Sequence, residues 1–154
     1  MTTASDKHVK TLNDLISTTL DSALGYEEAA KAAAKPTFKT LFDDRAKARR
    51  QLAGDLQAEV RKLGGKPEDD GSMMGAAHRM FLNLKHTVTG TDQSVIAEVE
   101  SGESHIKAKF DDALATEALP ESARLVMKRV NEAINADHDK MITVKHALQA
   151  PAEH

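Results

Sequence analysis

The apolar residues of this chain recur at intervals of three and four along four long stretches, the pattern of helices that bury one face. These stretches run from about Ser5 to Ala34, Pro36 to Leu63, Thr91 to Ala115 and Pro120 to Leu148. Pro36 and Pro120 suit the first turn of a new helix, and Gly64-Gly65 is typical of a left-handed helix C-cap. The pattern therefore predicts an all-α fold in a single domain that spans residues 1–154.

The lengths of the connections predict the order of the helices. The first two helices and the last two are joined by short breaks, so each pair should form an antiparallel hairpin. The middle connection has roughly 26 residues and contains a helical pattern of its own, from about Ser72 to Val88, about 25 Å long at 1.5 Å per residue. That segment can return the chain along the bundle. Short, long and short connections predict an up-down-down-up four-helix bundle with one crossover, as in ferritin-like folds.

Composition narrows the chemistry that the chain can support. Aromatic residues make up 3%, with no Trp, so the core must be built from Leu, Ile, Val, Ala and Met, which favours helices. The absence of Cys excludes disulfides, thiolate zinc sites and cysteine nucleophiles. No apolar run approaches the roughly 18 residues of a membrane span, and the N-terminus lacks the apolar region of a signal peptide. We therefore expect a cytoplasmic protein that does not enter the membrane.

Charge gives no reason to expect a nucleic-acid partner. The formal net charge is −3. The basic cluster at Arg45, Lys47, Arg49 and Arg50 is flanked by three Asp residues, which is typical of a solvated face of mixed charge. A homo-oligomer is compatible with the sequence, but no residue pattern specifies one.

Aligning the predicted helices by height places several polar residues at one level inside the bundle. The level combines Arg45 and Arg49 on the second helix with Glu100 and Glu103 on the third. The fourth helix contributes its region around residues 132–138, including His138, and the first contributes Ala23. Ferritin-like bundles hold two metal ions with one Glu from each of two helices and a Glu-x-x-His from each of the others. Here two guanidiniums, which repel divalent cations, lie beside two carboxylates.

Two hypotheses follow for this level. The first is a polar core network of Arg45, Arg49, Glu103 and His138 without a cofactor. The second is a metal site, for iron or another divalent cation, with Glu100, Glu103 and His138 as ligands and a further carboxylate from Glu27 or Glu28. Simpler interpretations stay open: the Arg side chains can extend outward along the helix surface, Glu100 can be a surface residue, and His138 can be a hydrogen-bonded core histidine.

Short motifs along most of the chain resemble a bacterial family of ferritin-like four-helix-bundle proteins without an assigned activity, distantly akin to the rubrerythrin and ferritin group. The matching stretches are residues 11–16, 63–65 with Pro67, 71–72, 77–79, 84–85, 88–90, 98–103, 119–120 and 138–139. The resemblance implies the ferritin-like fold and a link to stress responses. It also implies a Glu at the position where this chain has Ala23, so this chain departs from the pattern of a di-metal centre.

The interpretation that we favour is a non-enzymatic ferritin-like bundle, stress-associated or assembly-forming, in which an Arg/Glu polar network replaces a di-metal centre. The alternative is a metal-binding or di-iron oxidase-like protein that handles iron through carboxylates and His in the bundle core. Tightly bound iron, manganese or zinc in the purified protein would favour the alternative.

Overall fold

The computed structural model describes residues 4–69, 92–116 and 118–149. They form four α-helices: α1 (Ala4–Ala32), α2 (Pro36–Lys62), α3 (Asp92–Thr116) and α4 (Glu121–Gln149). The prediction of an all-α protein with four long helices is confirmed over these residues. The short helix predicted from about Ser72 to Val88 lies outside them. None of the four helices is long and apolar enough to cross a membrane.

The turn between α1 and α2 depends on Pro36, at the start of α2, and on the side chain of Lys39. Pro36 occupies the first turn of α2, and Lys35 before it is extended, with φ −79° and ψ 131°, as expected for a residue that precedes proline. The Nζ of Lys39 donates to the carbonyl oxygens of Ala30 and Lys31 at 3.2 and 3.4 Å. These carbonyls end α1, so a cation satisfies groups that have no partner within the helix.

The end of α2 is a Schellman motif, which confirms the predicted glycine cap. Gly64 has φ +80° and donates its N–H to the Arg61 carbonyl, while Gly65 donates to the Val60 carbonyl, both at 3.0 Å. Gly65 also lies against α1, where a Cβ atom would come within 2.7 Å of a methyl carbon of Val9. Both glycines are therefore required, one by its backbone conformation and the other by the close approach of α1.

Contacts at the helix ends show how the two hairpins are placed. Asp92, at the start of α3, accepts hydrogen bonds from the backbone N–H groups of Ala34 and Lys35 at 2.7 and 3.2 Å. Since these two residues immediately precede α2, α2 and α3 begin at the same end of the bundle. At the other end, Ser122 in the first turn of α4 donates to both oxygens of Glu59, near the end of α2, at 3.0 and 3.1 Å.

The core consists of two apolar clusters at different heights. One cluster is rich in Leu, Ile and Val and includes Leu12, Ile16, Leu56, Phe110, Met127 and Ile134. The other cluster lies nearer the α1–α2 turn and includes Tyr26, Ala30, Phe42, Ile96 and Met141. On α2 and α3 the residues between the two clusters include Arg49 and Glu103, which are 0% and 1% exposed. Arg49 and Glu103 therefore belong to a polar layer between two apolar halves.

Candidate functional site

The centre of this layer is an ion pair between α2 and α3. Arg49 Nη1 lies 2.8 Å from Glu103 Oε1, and Arg49 Nη2 donates to Glu103 Oε2 at 2.8 Å. The arrangement is bidentate, the geometry in which a planar guanidinium matches a carboxylate best. Because both side chains are removed from solvent, their attraction is weakly screened, and each charge depends on the other to offset its loss of hydration.

Tyr26 adds α1 to this ion pair. Its hydroxyl donates to Glu103 Oε1 at 2.7 Å. The guanidinium carbons of Arg45 and Arg49 lie 5.8 and 5.4 Å from the centre of its ring, within the range of cation–π attraction. Burial, followed by the negative charge of Glu103, raises the pKa of the Tyr26 hydroxyl well above its usual value. Tyr26 is therefore held as a neutral hydrogen-bond donor.

Asp137 joins α4 to the network and is only partly buried. Arg49 Nη2 donates to Asp137 Oδ2 at 3.1 Å, and Arg45 Nε lies 3.5 Å from Asp137 Oδ1. The Asp137 side chain is 20% exposed, whereas that of Arg45 is 8% exposed. Ser22 on α1 accepts a further hydrogen bond from Arg49 Nη1 at 2.8 Å. Arg49 therefore contacts polar groups of all three other helices.

The formal charges of the network cancel. Arg45 and Arg49 carry one positive charge each, and Glu103 and Asp137 carry one negative charge each. Burial is the largest single influence on Arg49 and disfavours its charged form, but the charge and hydrogen bond of Glu103, together with Tyr26 and Asp137, outweigh it and raise the pKa of Arg49 above its usual value. A balanced set of fixed charges is the condition under which ions can remain in an apolar interior.

The structure brings together three of the four residues predicted for the network. Arg45, Arg49 and Glu103 all belong to it, and the two Arg side chains are buried rather than extended outward. His138 forms neither a hydrogen bond nor an ion pair with them in the described structure. It is only partly buried and lies with Nε2 3.3 Å from the hydroxyl of Ser104, on the α3–α4 side of the bundle. The preceding residue, Asp137, occupies the place in the network that was predicted for His138.

The three residues predicted as metal ligands do not form a common site within the part of the chain that the structure describes. Glu100 pairs with Lys145 at 2.7 Å, Glu103 pairs with Arg49, and His138 lies beside Ser104. The described ranges contain no group of three His, Asp or Glu side chains that could hold a metal ion.

The carboxylates considered as an additional ligand also lie elsewhere. Glu27 accepts hydrogen bonds from Arg50, and Glu28 pairs with Lys31, both at the surface. Ala23, on the core side of α1, is fully buried. The groups that α1 is seen to contribute to the polar layer are the hydroxyls of Tyr26 and Ser22.

Three members of the network were missed from the sequence: Ser22, Tyr26 and Asp137. Tyr26 carried a usable signal, because it is the sole tyrosine and falls on the apolar stripe of α1, and a buried tyrosine hydroxyl normally finds a hydrogen-bond partner. Ser22 and Asp137 carried none, since each lies beside the predicted stripe and could equally face solvent.

Comparison with known proteins gives a family without an assigned activity. No curated protein matches the chain. A family model described as a domain of unknown function, DUF2383, matches residues 7–116. The matched region contains nearly all of α1 and the whole of α2 and α3, and with them Tyr26, Arg49 and Glu103. Since this family model matches most of the sequence, the chain belongs to the DUF2383 family.

Proposed function

We propose that this chain is a ferritin-like, up-down-down-up bundle in which the buried Arg49–Glu103 pair takes the place of a di-metal centre. It acts without redox chemistry, as a stress-associated or assembly-forming protein. The link to stress is what the resemblance to ferritin-like proteins implies. The observation that carries the proposal is the guanidinium of Arg49, fixed at the centre of the bundle with no exposure to solvent.

The placement of the helix ends supports the topology. The first turn of α3 lies beside the α1–α2 turn, and the first turn of α4 lies beside the end of α2. In an up-down-up-down bundle α3 would instead begin beside the end of α2. This arrangement of helix ends is the one expected for a bundle with short, long and short connections, in which one crossover joins the second and third long helices.

The chemistry of Glu103 supports the absence of a metal role. Oε1 accepts from Tyr26 and lies against Nη1 of Arg49, and Oε2 accepts from Nη2. A metal ion at Glu103 would have to displace these donors and would then face the permanent positive charge of Arg49. Two-metal centres need several convergent carboxylates to offset the charge of the cations, and here Arg45 and Arg49 already neutralise the two carboxylates of the layer.

Ferrous iron oxidation tests the proposal. The full-length protein, mixed with ferrous iron in air, should oxidise iron no faster than buffer does, as followed by near-ultraviolet absorbance. Elemental analysis of freshly purified protein should find less than one equivalent of iron, manganese or zinc per chain.

Saturable, protein-dependent oxidation would overturn the proposal, and variants would then locate the ligands. Loss of that activity in Glu103→Ala or His138→Ala, but not in the surface variant Asp55→Ala, whose side chain pairs with Arg129 outside the layer, would establish the alternative metal-binding function with Glu100, Glu103 and His138. For assembly, light scattering coupled to size-exclusion chromatography measures the mass of the particle. A monomer at micromolar concentrations would remove assembly from the proposed role.

A further inference from the structure

One N–H group of the buried Arg49 guanidinium is not used by the network. Nε of Arg49 is buried and has no hydrogen-bond partner among the described residues. Its Nη1 and Nη2 atoms contact Ser22, Glu103 and Asp137. A buried donor without an acceptor is costly, and in folded proteins such a group is usually satisfied by an ordered water.

The direction of this N–H group follows from the planarity of the guanidinium. Nε–H and one N–H of Nη2 lie side by side on the same edge. On that edge Nη2 donates to Asp137 Oδ2 at 3.1 Å. The second oxygen of Asp137, Oδ1, does not pair with Arg49 Nε and lies 3.5 Å from Nε of Arg45, which is long for a hydrogen bond. Among the described residues, Arg49 Nε therefore lacks an acceptor on the same edge of the guanidinium from which Nη2 donates to Asp137.

We propose that an internal water molecule binds at this edge, accepting from Arg49 Nε and donating to Asp137 Oδ1. A neutral occupant fits because the charges of Arg45, Arg49, Glu103 and Asp137 already cancel, so an added ion would leave a net charge in the interior. Buried waters typically make about three hydrogen bonds to polar groups that would otherwise lack partners. The Asp137 side chain, which is 20% exposed, is the carboxylate partner of this water.

With this water bound, the Asp137 carboxylate has a second role besides its ion pairs with Arg45 and Arg49. Asp137 is the point at which the network meets solvent, and the water extends its contact inward to Arg49 Nε. The position of the water is set by Arg49 and Asp137 and does not depend on the proposed stress-associated or assembly-forming role.

A crystal structure of the full-length protein, at a resolution that shows ordered water, tests the proposal directly. The expected result is a density peak about 2.7–3.2 Å from Arg49 Nε and within hydrogen-bonding distance of the Asp137 carboxylate. Two results would overturn it: an Asp137 carboxylate rotated to bind Nε and Nη2 together, or a peak that gives an anomalous signal in crystals soaked with bromide, which would identify an anion site.

Nuclear magnetic resonance gives a second test that needs no crystal. In protein labelled with ¹⁵N, the Nε–H resonance of Arg49 is the one lost in Arg49→Lys. A bound water should give this proton a rotating-frame cross-peak at the water frequency, with sign opposite to the diagonal. Arg50, whose Nε donates to Glu27 at the surface, is the internal control and should show no such peak. Absence of the peak for Arg49, or a peak with the sign of chemical exchange alone, would contradict the proposal.

Discussion

Arg49 on α2 and Glu103 on α3 meet in a bidentate ion pair, with both side chains essentially removed from solvent and 2.8 Å between their charged atoms. Two features distinguish this pair from the surface ion pairs of the same molecule. Its carboxylate also accepts from Tyr26, and its guanidinium also donates to Ser22 and Asp137. The pair thus connects four helices at one height, and its removal should affect the whole bundle.

Loss of the Glu103 carboxylate should destabilise the protein strongly. Glu103→Ala leaves the Arg49 cation buried without its main partner, and breaking a buried pair in this way costs on the order of 3–5 kcal/mol. The midpoint of thermal or urea unfolding, followed by circular dichroism, measures the effect. Glu27→Ala is the matched control, because Glu27 pairs with Arg50 at the surface and an exposed pair contributes about 0–1 kcal/mol. Equal effects of the two variants would contradict the importance of the buried pair.

Replacement of both charges should cost less than the sum of the single replacements. Arg49→Met leaves a buried carboxylate, and Glu103→Leu leaves a buried guanidinium, whereas the double variant leaves neither charge unpaired. Residues in direct contact typically show coupling of about 0.5–3 kcal/mol in such a cycle. Urea unfolding of the four proteins gives the coupling energy. Additive effects would show that the two side chains act independently.

The sole tyrosine should resist ionisation while the protein is folded. The pKa of Tyr26 is raised by burial and by the charge of Glu103, whereas a tyrosine in an unfolded chain ionises near pH 10. Since there is no Trp and one Tyr, tyrosinate absorbance reports on this residue alone. Absorbance should change only when the protein unfolds, and at the same pH as the loss of helical circular dichroism.

The raised pKa of Tyr26 also determines how the stability of the protein changes with pH. A hydroxyl whose pKa is raised by folding contributes stability that is present below about pH 10 and is lost as the pH rises above it, because the unfolded state then releases the proton more readily. Urea midpoints of the wild type should therefore fall above pH 10. Tyr26→Phe removes this contribution, so its midpoint should fall less steeply. Parallel curves for the two proteins would contradict the raised pKa.

Alanine at two glycines should have opposite effects. Gly65→Ala places a Cβ atom 2.7 and 2.8 Å from the two methyl carbons of Val9, and this overpacking should destabilise by about 1–3 kcal/mol. Gly102→Ala is the control, since Gly102 lies inside α3 with nothing within 4 Å of its added Cβ. It should stabilise by about 0.5–1 kcal/mol through reduced backbone entropy of the unfolded chain. Thermal midpoints measure both effects.

The sequence by itself determined the four helices and several of their ends. Helical periodicity is visible over about 25 residues at a time, and the stops and starts at Pro36 and Gly64-Gly65 are local properties of the backbone. The same periodicity placed Arg49 and Glu103 on the inward stripes, but only the structure showed that the Arg49 side chain is buried rather than extended outward. The helices, their ends and their stripes depend on neighbours within a few residues, so they could be predicted without knowledge of the packing.

Only the tertiary structure decided which polar groups meet. One helical turn is about 5.4 Å, and the height alignment from connection lengths was uncertain by about that amount. On α1 this is the difference between Ala23 and Tyr26. On α4 the decision is one of rotation: adjacent residues point about 100° apart on a helix, so Asp137 faces α2 and Arg49, while His138 faces α3 and Ser104. The packing of the helices fixes both the height and the rotation.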